Sequence, residues 1–270
     1  MGRKPLRMLV LGTAVTWCLS CVGCRRDDGG GAVNAIGSTS IQPFAELLAQ
    51  EYEKRNPDQK VDVHGGGSTA GLKAVADGLA QIGMCSRSLT DEEAKQFTSV
   101  MIARDGLAIV VNPANPVNGL TVEQIRSLFS GQIKNWKDVG GKDEPVRIVT
   151  REESSGTRES FVHLVMAKEK IARAALVQES SGAVKELVKG NPAAIGYISL
   201  GLVGKELKAL VVGGEAPTAA NVLAGKYKLA RPLLFVTQGP PTPKAKKFID
   251  FVLLPESQKT LEAEGLIRAQ

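Results

Sequence analysis

A short polar stretch, Arg151-Glu-Glu-Ser-Ser-Gly-Thr157, carries the residue types that bind an oxyanion. It lies between an apolar segment typical of a buried strand, 146–149, and an amphipathic segment typical of a helix, 161–165. At a helix N-terminus the first backbone N–H groups lack acceptors, and the helix dipole favours negative charge. The stretch adds a fixed cation, two hydroxyl donors and a glycine that lets the backbone approach a ligand. Taken alone, it also fits an ordinary helix cap beside a surface arginine.

Two further hydroxyl-bearing loops follow predicted strands and open predicted helices. The first, Ala35-Ile-Gly-Ser-Thr-Ser40, precedes apolar residues at helical spacing from Phe44 to Tyr52. The second, Gly65-Gly-Gly-Ser68-Thr-Ala-Gly71, opens a helix marked by Leu72, Val75 and Leu79. This glycine loop is not a P-loop, which needs Lys directly after its last glycine, nor a nucleophile elbow, which needs Gly two residues after Ser. Three loops of one kind favour an anion site over three unrelated caps.

Strand and helix patterns alternate along the rest of the chain and predict an α/β fold. The pattern predicts strands over 81–89, 106–111, 193–198 and 231–237, helices over 120–129 and after Pro243 and Pro255, and a capping box from Thr90 to Glu93. We interpret 106–111 and 231–237 as the two crossings between a pair of lobes. Lobe 1 is then formed by 33–108 and 232–270, and lobe 2 by 109–231.

The N-terminal segment has the features of a bacterial lipoprotein signal. Three basic residues precede an uncharged run of 17 residues from Met8 to Cys24, too short for a spanning helix, so residues 1–23 are predicted to be a signal peptide. Gly23-Cys24 resembles a lipobox junction, with Ser20-Cys21 as the second choice. We expect Cys24 to be lipidated and 24–32 to form a flexible tether that holds the protein on the outer side of the bacterial cell membrane, the periplasmic side in a Gram-negative cell.

Composition argues against several other functions. Removal of 1–23 deletes three basic residues and no acidic ones, so the formal net charge falls from +6 to +3 and gives little support for nucleic-acid binding. Only Cys85 lies in the mature domain, and His64 and His163 are not at metal-ligand spacing with a cysteine, so no disulfide, metal or other cofactor is predicted. An aromatic content of 4% leaves few rings for sugar stacking.

The ordered set of motifs resembles the family of phosphate-binding proteins of bacterial phosphate ABC transporters. The resemblance covers 34–268 and is carried by Gly37-Ser-Thr-Ser-Ile-Gln-Pro43, Gly67-Ser-Thr-Ala-Gly71, Phe129-Ser-Gly-Gln-Ile-Lys-Asn-Trp136, Arg151-Glu-Glu-Ser-Ser-Gly-Thr157, Ala194-Ile-Gly-Tyr197 and Phe248-Ile-Asp-Phe251. It implies the two-lobed periplasmic-binding-protein fold of type II, in which each lobe is a mixed sheet flanked by helices and the ligand lies in the cleft between lobes. It also implies a monomer that captures inorganic phosphate, closes at a hinge, and delivers the ion to the permease subunits of an ABC transporter.

The same resemblance implies a set of ligand residues. They are Thr39, Ser40, Ser68, Ser86, Arg151, Ser155, Gly156 and Thr157, with Glu153 in a position to orient Arg151 by an ion pair. Some family members have Asp where this chain has Ser86. An ionised Asp accepts the proton of phosphate and repels sulfate, whereas a serine hydroxyl accepts with less repulsion. Arg87 either adds positive charge to the site or is a solvated surface residue.

Two alternatives remain open at the level of sequence. One is a receptor for another tetrahedral oxyanion, such as sulfate or molybdate. The other is an enzyme that acts on phosphate esters with Ser68 or Ser155 as the nucleophile, although neither histidine falls in a candidate loop to serve as its base. No catalytic residue is therefore predicted.

Overall fold

The structure, a computed structural model, describes residues 1–2 and 31–269. Nearly all of the predicted signal peptide, the predicted lipidation site Cys24 and most of the predicted tether lie outside these residues. The chain divides into two units, Met1–Gly31 and Ala32–Gln270, and the fold that follows is that of the second unit. Within the described ranges, no helix combines the length and the apolar character that are needed to span a bilayer.

Helices and strands alternate along residues 31–269, as the sequence predicts. The α-helices of this part of the chain are α1 Gln42–Arg55, α2 Ser68–Ala76, α3 Asp91–Gln96, α4 Val122–Phe129, α5 Gly156–Phe161, α6 Ser181–Lys189, α7 Ala219–Leu223, α8 Pro243–Val252 and α9 Pro255–Ala263. Its strands are β1 Val33–Gly37, β2 Val61–His64, β3 Ile82–Cys85, β4 Thr98–Val111, β5 Gly119–Leu120, β6 Arg147–Arg151, β7 Leu176–Gln178, β8 Ala194–Ser199, β9 Lys208–Ala209, β10 Val211–Val212, β11 Ala230–Thr237 and β12 Ile267–Arg268. A π-helical turn, Val162–Met166, continues α5.

The local signals in the sequence place most helix ends correctly. The predicted capping box is present, because the Thr90 side chain accepts from the Glu93 N–H and the Glu93 carboxylate accepts from the Thr90 N–H. Pro255 begins α9 as predicted. The prediction was wrong at Leu79, which is 66% exposed. Helix α2 ends at Ala76, and Gly78 at φ 71° turns the chain away before Leu79 can continue the apolar face.

One mixed sheet runs through the unit with its main strands in the order β2-β1-β3-β11-β4-β8-β6-β7. Strands β1, β2 and β3 are mutually parallel, and so are β6, β7 and β8, while β11 and β4 join the two sets through antiparallel pairs. Strand β9 and strand β12 also pair with β4. The predicted α/β class with mixed sheets flanked by helices is confirmed.

Strand β4 is longer than the sequence pattern indicates, and its length explains how the two sets are joined. The prediction covered 106–111, but the strand begins at Thr98 because the residues before Gly106 pair with β11. From Leu107 onward the strand pairs with β8 instead. The partner of β4 therefore changes between Gly106 and Leu107.

The buried apolar residues separate into clusters that meet along β4. One cluster packs helices α1, α8 and α9 on the sheet around Phe44, Leu48 and Phe248 and includes Ile102 of β4. A second contains Phe129, Phe161 and Tyr197, with the Phe161 and Tyr197 rings stacked at 4.1 Å, and includes Leu107, Ile109 and Val111 of β4. A smaller third cluster packs α6 on the other face of the sheet around Ala108 and Val110. The lobe boundaries stay a prediction.

Candidate anion-binding site

Five buried hydroxyl groups converge where the carboxyl ends of the parallel strands face one another. They come from the loops or helix starts that follow β1, β2, β3, β6 and β7, and they belong to Ser40, Ser68, Ser86, Thr157 and Ser181. Each of these residues is at most 1% exposed. Loops at this edge of an α/β sheet are the usual place for a ligand site. We refer to these five residues as the hydroxyl cluster.

One half of the hydroxyl cluster centres on Ser40. The Ser40 Oγ lies 2.8 Å from Thr157 Oγ1 and 3.0 Å from Ser181 Oγ, and in each hydrogen bond either hydroxyl can donate. The Thr39 Oγ1 accepts a hydrogen bond of 3.2 Å from the Ser181 N–H. The loop after β1 is thereby joined to the starts of both α5 and α6.

The other half of the cluster joins Ser68 and Ser86, with Gly156 packed against them. The Ser68 Oγ accepts from the Ser86 N–H at 3.1 Å and lies 3.4 Å from Ser86 Oγ. A Cβ on Gly156 would collide with Ser68 Oγ and would lie 2.8 Å from Ser68 Cβ and 3.0 Å from Ser86 Oγ. Only glycine allows the start of α5 to approach α2 this closely.

The predicted cation Arg151 is 1% exposed and reaches the cluster through Ser181. Its Nη1 donates to Ser181 Oγ at 3.1 Å. Its Nε and Nη2 donate to the two carboxylate oxygens of Glu152, each at 2.8 Å, in a bidentate ion pair. The ion pair predicted for Glu153 is therefore wrong, because the loop turns Glu152 toward the guanidinium and leaves Glu153 exposed.

Ser155 has a different role from the other predicted serines. Its Oγ accepts from the Arg158 N–H at 3.3 Å and caps α5, which fixes the backbone that carries Gly156 and Thr157. The structure therefore brings seven of the eight predicted residues into one network of close contacts. The eighth, Ser155, lies next to them in the chain and supports the helix start.

Arg87 fits neither of the two interpretations that the sequence left open. It is 8% exposed, so it is not a solvated surface residue, and two carboxylates engage its charge. Its Nη1 and Nη2 donate to Glu93 at 2.6 and 2.8 Å, and its Nε lies 2.6 Å from Glu159 Oε2 without the alignment of a hydrogen bond. The hydrogen bonds to Glu93 raise the pKa of Arg87 and lower that of Glu93.

Sequence reasoning missed three residues at the site. Ser181 follows β7 and opens α6, so it carries the same strand, hydroxyl and helix signal that identified the other loops. Arg231 and Asp105 are directly opposite on β11 and β4, which were interpreted only as crossings. The available signal was a charged residue at the start of each largely apolar run, Asp105 before 106–111 and Arg231 at the start of 231–237.

Arg231 and Asp105 form a buried ion pair beneath the hydroxyl cluster. Arg231 donates to Asp105 Oδ2 from Nε at 3.0 Å and from Nη2 at 2.9 Å. Asp105 also accepts from Ser199 Oγ and from the Leu200 N–H. Burial raises the pKa of Asp105 and lowers that of Arg231, and in each case the charge of the partner opposes the shift.

The hydrogen bonds leave most hydroxyls of the site with a proton to donate. Thr39, Ser40, Ser68, Ser155 and Ser181 each accept from a group that can only donate, either an arginine N–H or a backbone N–H. Each hydroxyl proton can then point toward an anion. For Ser86 and Thr157 the hydroxyl partners are other hydroxyls, so these two can accept a proton from a ligand as readily as they donate one.

A cavity of about 350 Å³ lies beside the cluster rather than within it. It is lined by Arg87, Glu159, Ser160 and His163 together with Arg231 and neighbouring residues. Arg231 is the residue that this cavity shares with the anion-binding site.

The fold and the loop-borne site define the class of protein. A family model described as a PBP superfamily domain matches residues 26–256. Among solved structures, a putative phosphate ABC transporter substrate-binding protein with bound phosphate from Clostridium perfringens is similar, with 39% identity, a TM-score of 0.86, and coverage of 89% of this chain and 100% of that chain. An ABC-type phosphate transport receptor from Vibrio cholerae is 41% identical, with a TM-score of 0.73 over 87% of this chain and 99% of that chain.

Curated relatives point to one family within that class. Phosphate-binding protein PstS of Bacillus subtilis is 34% identical over 235 residues, which are 86% of this chain and 78% of the relative. Phosphate-binding protein PstS of Borreliella burgdorferi is 30% identical over 257 residues, 90% of this chain and 92% of the relative. The chain belongs to the phosphate-binding protein family of the PBP superfamily, as the order of its motifs predicts.

Proposed function

We propose that the protein is an extracytoplasmic receptor that captures inorganic phosphate and delivers it to the permease of an ABC transporter. The observation that carries the proposal is the buried hydroxyl cluster with Arg151 hydrogen-bonded to it. Hydroxyls directed by donor-only partners, together with a guanidinium, make a site rich in hydrogen-bond donors for a tetrahedral anion. The relatives whose names refer to phosphate support the same ligand.

Binding without catalysis is the better account of the serines. Ser68 Oγ is engaged by Ser86, and Ser155 Oγ caps α5, and neither of these partners is a general base. His64 and His163 are both exposed. A phosphate-ester hydrolase would need a base within hydrogen-bond reach of its nucleophile.

The two-lobed arrangement accounts for how a ligand is enclosed. Lobe 1 comprises 33–108 and 232–270, and lobe 2 comprises 109–231. The separate core clusters at the two ends of β4 support this division. Residues of both predicted lobes meet in the hydroxyl cluster, since Ser40, Ser68 and Ser86 belong to the first and Thr157 and Ser181 to the second. Hinge opening would separate them and admit the ion.

Calorimetric titration of the phosphate-free protein with phosphate, and then with sulfate and molybdate, tests the identity of the ligand. We expect tight binding of phosphate and weaker binding of the other two anions. Tighter binding of sulfate or molybdate would make the protein a receptor for that oxyanion. Slow release of an alcohol from a phosphate ester by the purified chain would instead support an enzyme.

The protein is also a monomer that is held at the membrane by a lipid on Cys24. A small residue precedes this cysteine, and the polar, glycine-rich segment after it suits a tether. One acyl chain anchors weakly, whereas a multiply acylated cysteine holds firmly. Cys24→Ser should leave the protein unprocessed or released from membranes, and Cys21→Ser should leave it attached. Mass spectrometry that finds the lipid on Cys21 would reverse this assignment.

A further inference from the structure

A second arginine contacts the hydroxyl cluster, at a different hydroxyl from the one that Arg151 contacts. Arg231 Nη2 donates to Ser40 Oγ at 3.3 Å, and its Nη1 donates to the Ser86 carbonyl oxygen at 3.3 Å. Ser40 and Ser86 lie in different loops, after β1 and β3, so one guanidinium holds both loops. The two arginines are connected through two hydroxyls, because Arg151 donates to Ser181 Oγ and Ser181 Oγ contacts Ser40 Oγ.

Asp105 fixes the orientation of this guanidinium. Its side chain is fully buried, and its Oδ2 accepts two hydrogen bonds from Arg231 while Oδ1 accepts from Ser199 Oγ and the Leu200 N–H. A buried carboxylate with four donors is a rigid support, because any rotation would leave a charged group without a partner. The ion pair also lies close to the point along β4 where the strand stops pairing with β11 and begins to pair with β8.

We propose that Arg231, held by Asp105, is a positioning residue of the anion site that commits the Ser40 hydroxyl to donate toward the bound anion. Arg231 can only donate, so Ser40 Oγ must accept from it, and the Ser40 proton stays available for a bound anion, or for Thr157 or Ser181 when no anion is bound. Asp105 compensates the charge of the guanidinium, so the main contribution of Arg231 is the direction of its hydrogen bonds. This inference rests on the proposed phosphate-binding function and names how that site is organised.

The test compares phosphate affinity across matched variants of the full chain by calorimetry, with thermal unfolding measured in parallel. Arg231→Met removes the charge and the hydrogen bonds, and we expect phosphate affinity to fall roughly ten- to hundredfold. Arg231→Lys restores the charge without the planar fork, so its affinity should lie between those of Arg231→Met and the wild type. The control is Arg126→Met, which removes a half-buried arginine that donates to the Val165 carbonyl oxygen away from the cluster. It should lower the Tm without changing phosphate affinity.

Arg231→Met leaves Asp105 buried without its ion partner and can therefore fail to fold. In that case the double variant Asp105→Asn/Arg231→Met, which removes both charges, is titrated in its place. A folded Arg231→Met or double variant with wild-type affinity would overturn the inference, and so would an equal loss of affinity in Arg126→Met. Arg231→Lys binding no better than Arg231→Met would also overturn it. A wild-type protein that binds no phosphate would instead refute the proposed function itself.

Discussion

Arg151 and Glu152, which are adjacent in the chain, form a two-point ion pair in which both carboxylate oxygens accept from the guanidinium at 2.8 Å. The pair leaves Nη1 of Arg151 to donate to the Ser181 hydroxyl. Glu152 therefore does two things at the proposed site. It compensates a buried positive charge, and it orients the guanidinium so that Nη1 faces the hydroxyl cluster.

Replacement of Arg151 by alanine should weaken phosphate binding strongly without unfolding the protein. Loss of a charged hydrogen bond in a buried site costs roughly 1.5–3 kcal/mol, which is about one to two decades in Kd. Calorimetric titration measures the change. Arg147→Ala is the matched control, because Arg147 begins the same strand and is exposed. An Arg151→Ala protein with wild-type affinity would remove Arg151 from the site.

Glu152→Gln should destabilise the phosphate-free protein and increase the stabilisation that phosphate provides. The substitution leaves Arg151 buried without a compensating charge, and a bound anion can supply that charge. A loss of about 1–2 kcal/mol lowers the Tm of a domain of this size by roughly 2–8 °C. Thermal unfolding with and without phosphate measures both effects. Glu153→Gln is the control, since Glu153 is exposed, and equal effects of the two substitutions would contradict the assignment to Glu152.

Gly156→Ala should reduce phosphate affinity by roughly five- to hundredfold while the protein stays folded. The added methyl group would overlap Ser68 Oγ and crowd Ser86 Oγ, and overpacking of this kind costs about 1–3 kcal/mol unless the two loops move apart. Gly182→Ala is the control, because Gly182 also lies in the first turn of a helix but a Cβ there meets only Ser180 Oγ at 3.8 Å. Titration and circular dichroism of both variants separate a blocked site from a misfolded chain.

Substitutions at Ser86 should change the discrimination between phosphate and sulfate. In Ser86→Asp an ionised carboxylate repels fully deprotonated sulfate but accepts the proton of phosphate, so the ratio of the two affinities should be kept or should rise even if both fall. Ser86→Ala should reduce the difference between the binding free energies of phosphate and sulfate by roughly 1 kcal/mol.

The control for the added charge is Ser88→Asp, two residues away and exposed. Competition titrations with both anions provide the ratio. If sulfate binds Ser86→Asp as well as it binds the wild type, and Ser86→Ala leaves both affinities unchanged, then Ser86 plays no part in selectivity.

The contribution of Glu93 to stability should depend on pH. Hydrogen bonds from Arg87 lower the pKa of Glu93 below its ordinary value of 4.5. A group with a depressed pKa in the folded state stabilises the fold above the unfolded pKa, and this stabilisation disappears as the pH falls through the folded value. Glu93→Gln should therefore be less stable than the wild type at pH 7, by about 1.5 kcal/mol, and the difference should shrink below pH 4.5.

Urea unfolding at pH 7, 5 and 3 measures the dependence. Glu92→Gln is the control, because Glu92 lies beside Glu93 in the first turn of α3 but is exposed. A Glu93→Gln deficit of the same size at all three pH values would show that the ion pair with Arg87 is not its cause.

Local sequence patterns were sufficient to predict the hydroxyl residues that lie in a loop between a strand and the helix that follows it. Ser68 and Thr157 were identified in this way, and Ser181 fits the same pattern. The choice between Glu152 and Glu153 depends on how one loop turns, which the order of two identical residues does not reveal. Arg231 and Asp105 are far apart in the chain, and only the pairing of β11 with β4 brings them together.

Strand β4 supplies side chains to the three largest apolar clusters of residues 31–269, with Ile102 in the first, Leu107 in the second and Ala108 in the third. Withdrawal of this strand from any one cluster would disturb the other two, so neither predicted lobe has a core that can melt independently. Opening at a hinge and loss of the native state are then separate events, and chemical denaturation should follow a single two-state transition, with the same midpoint for fluorescence of the buried Trp136 and for far-ultraviolet circular dichroism.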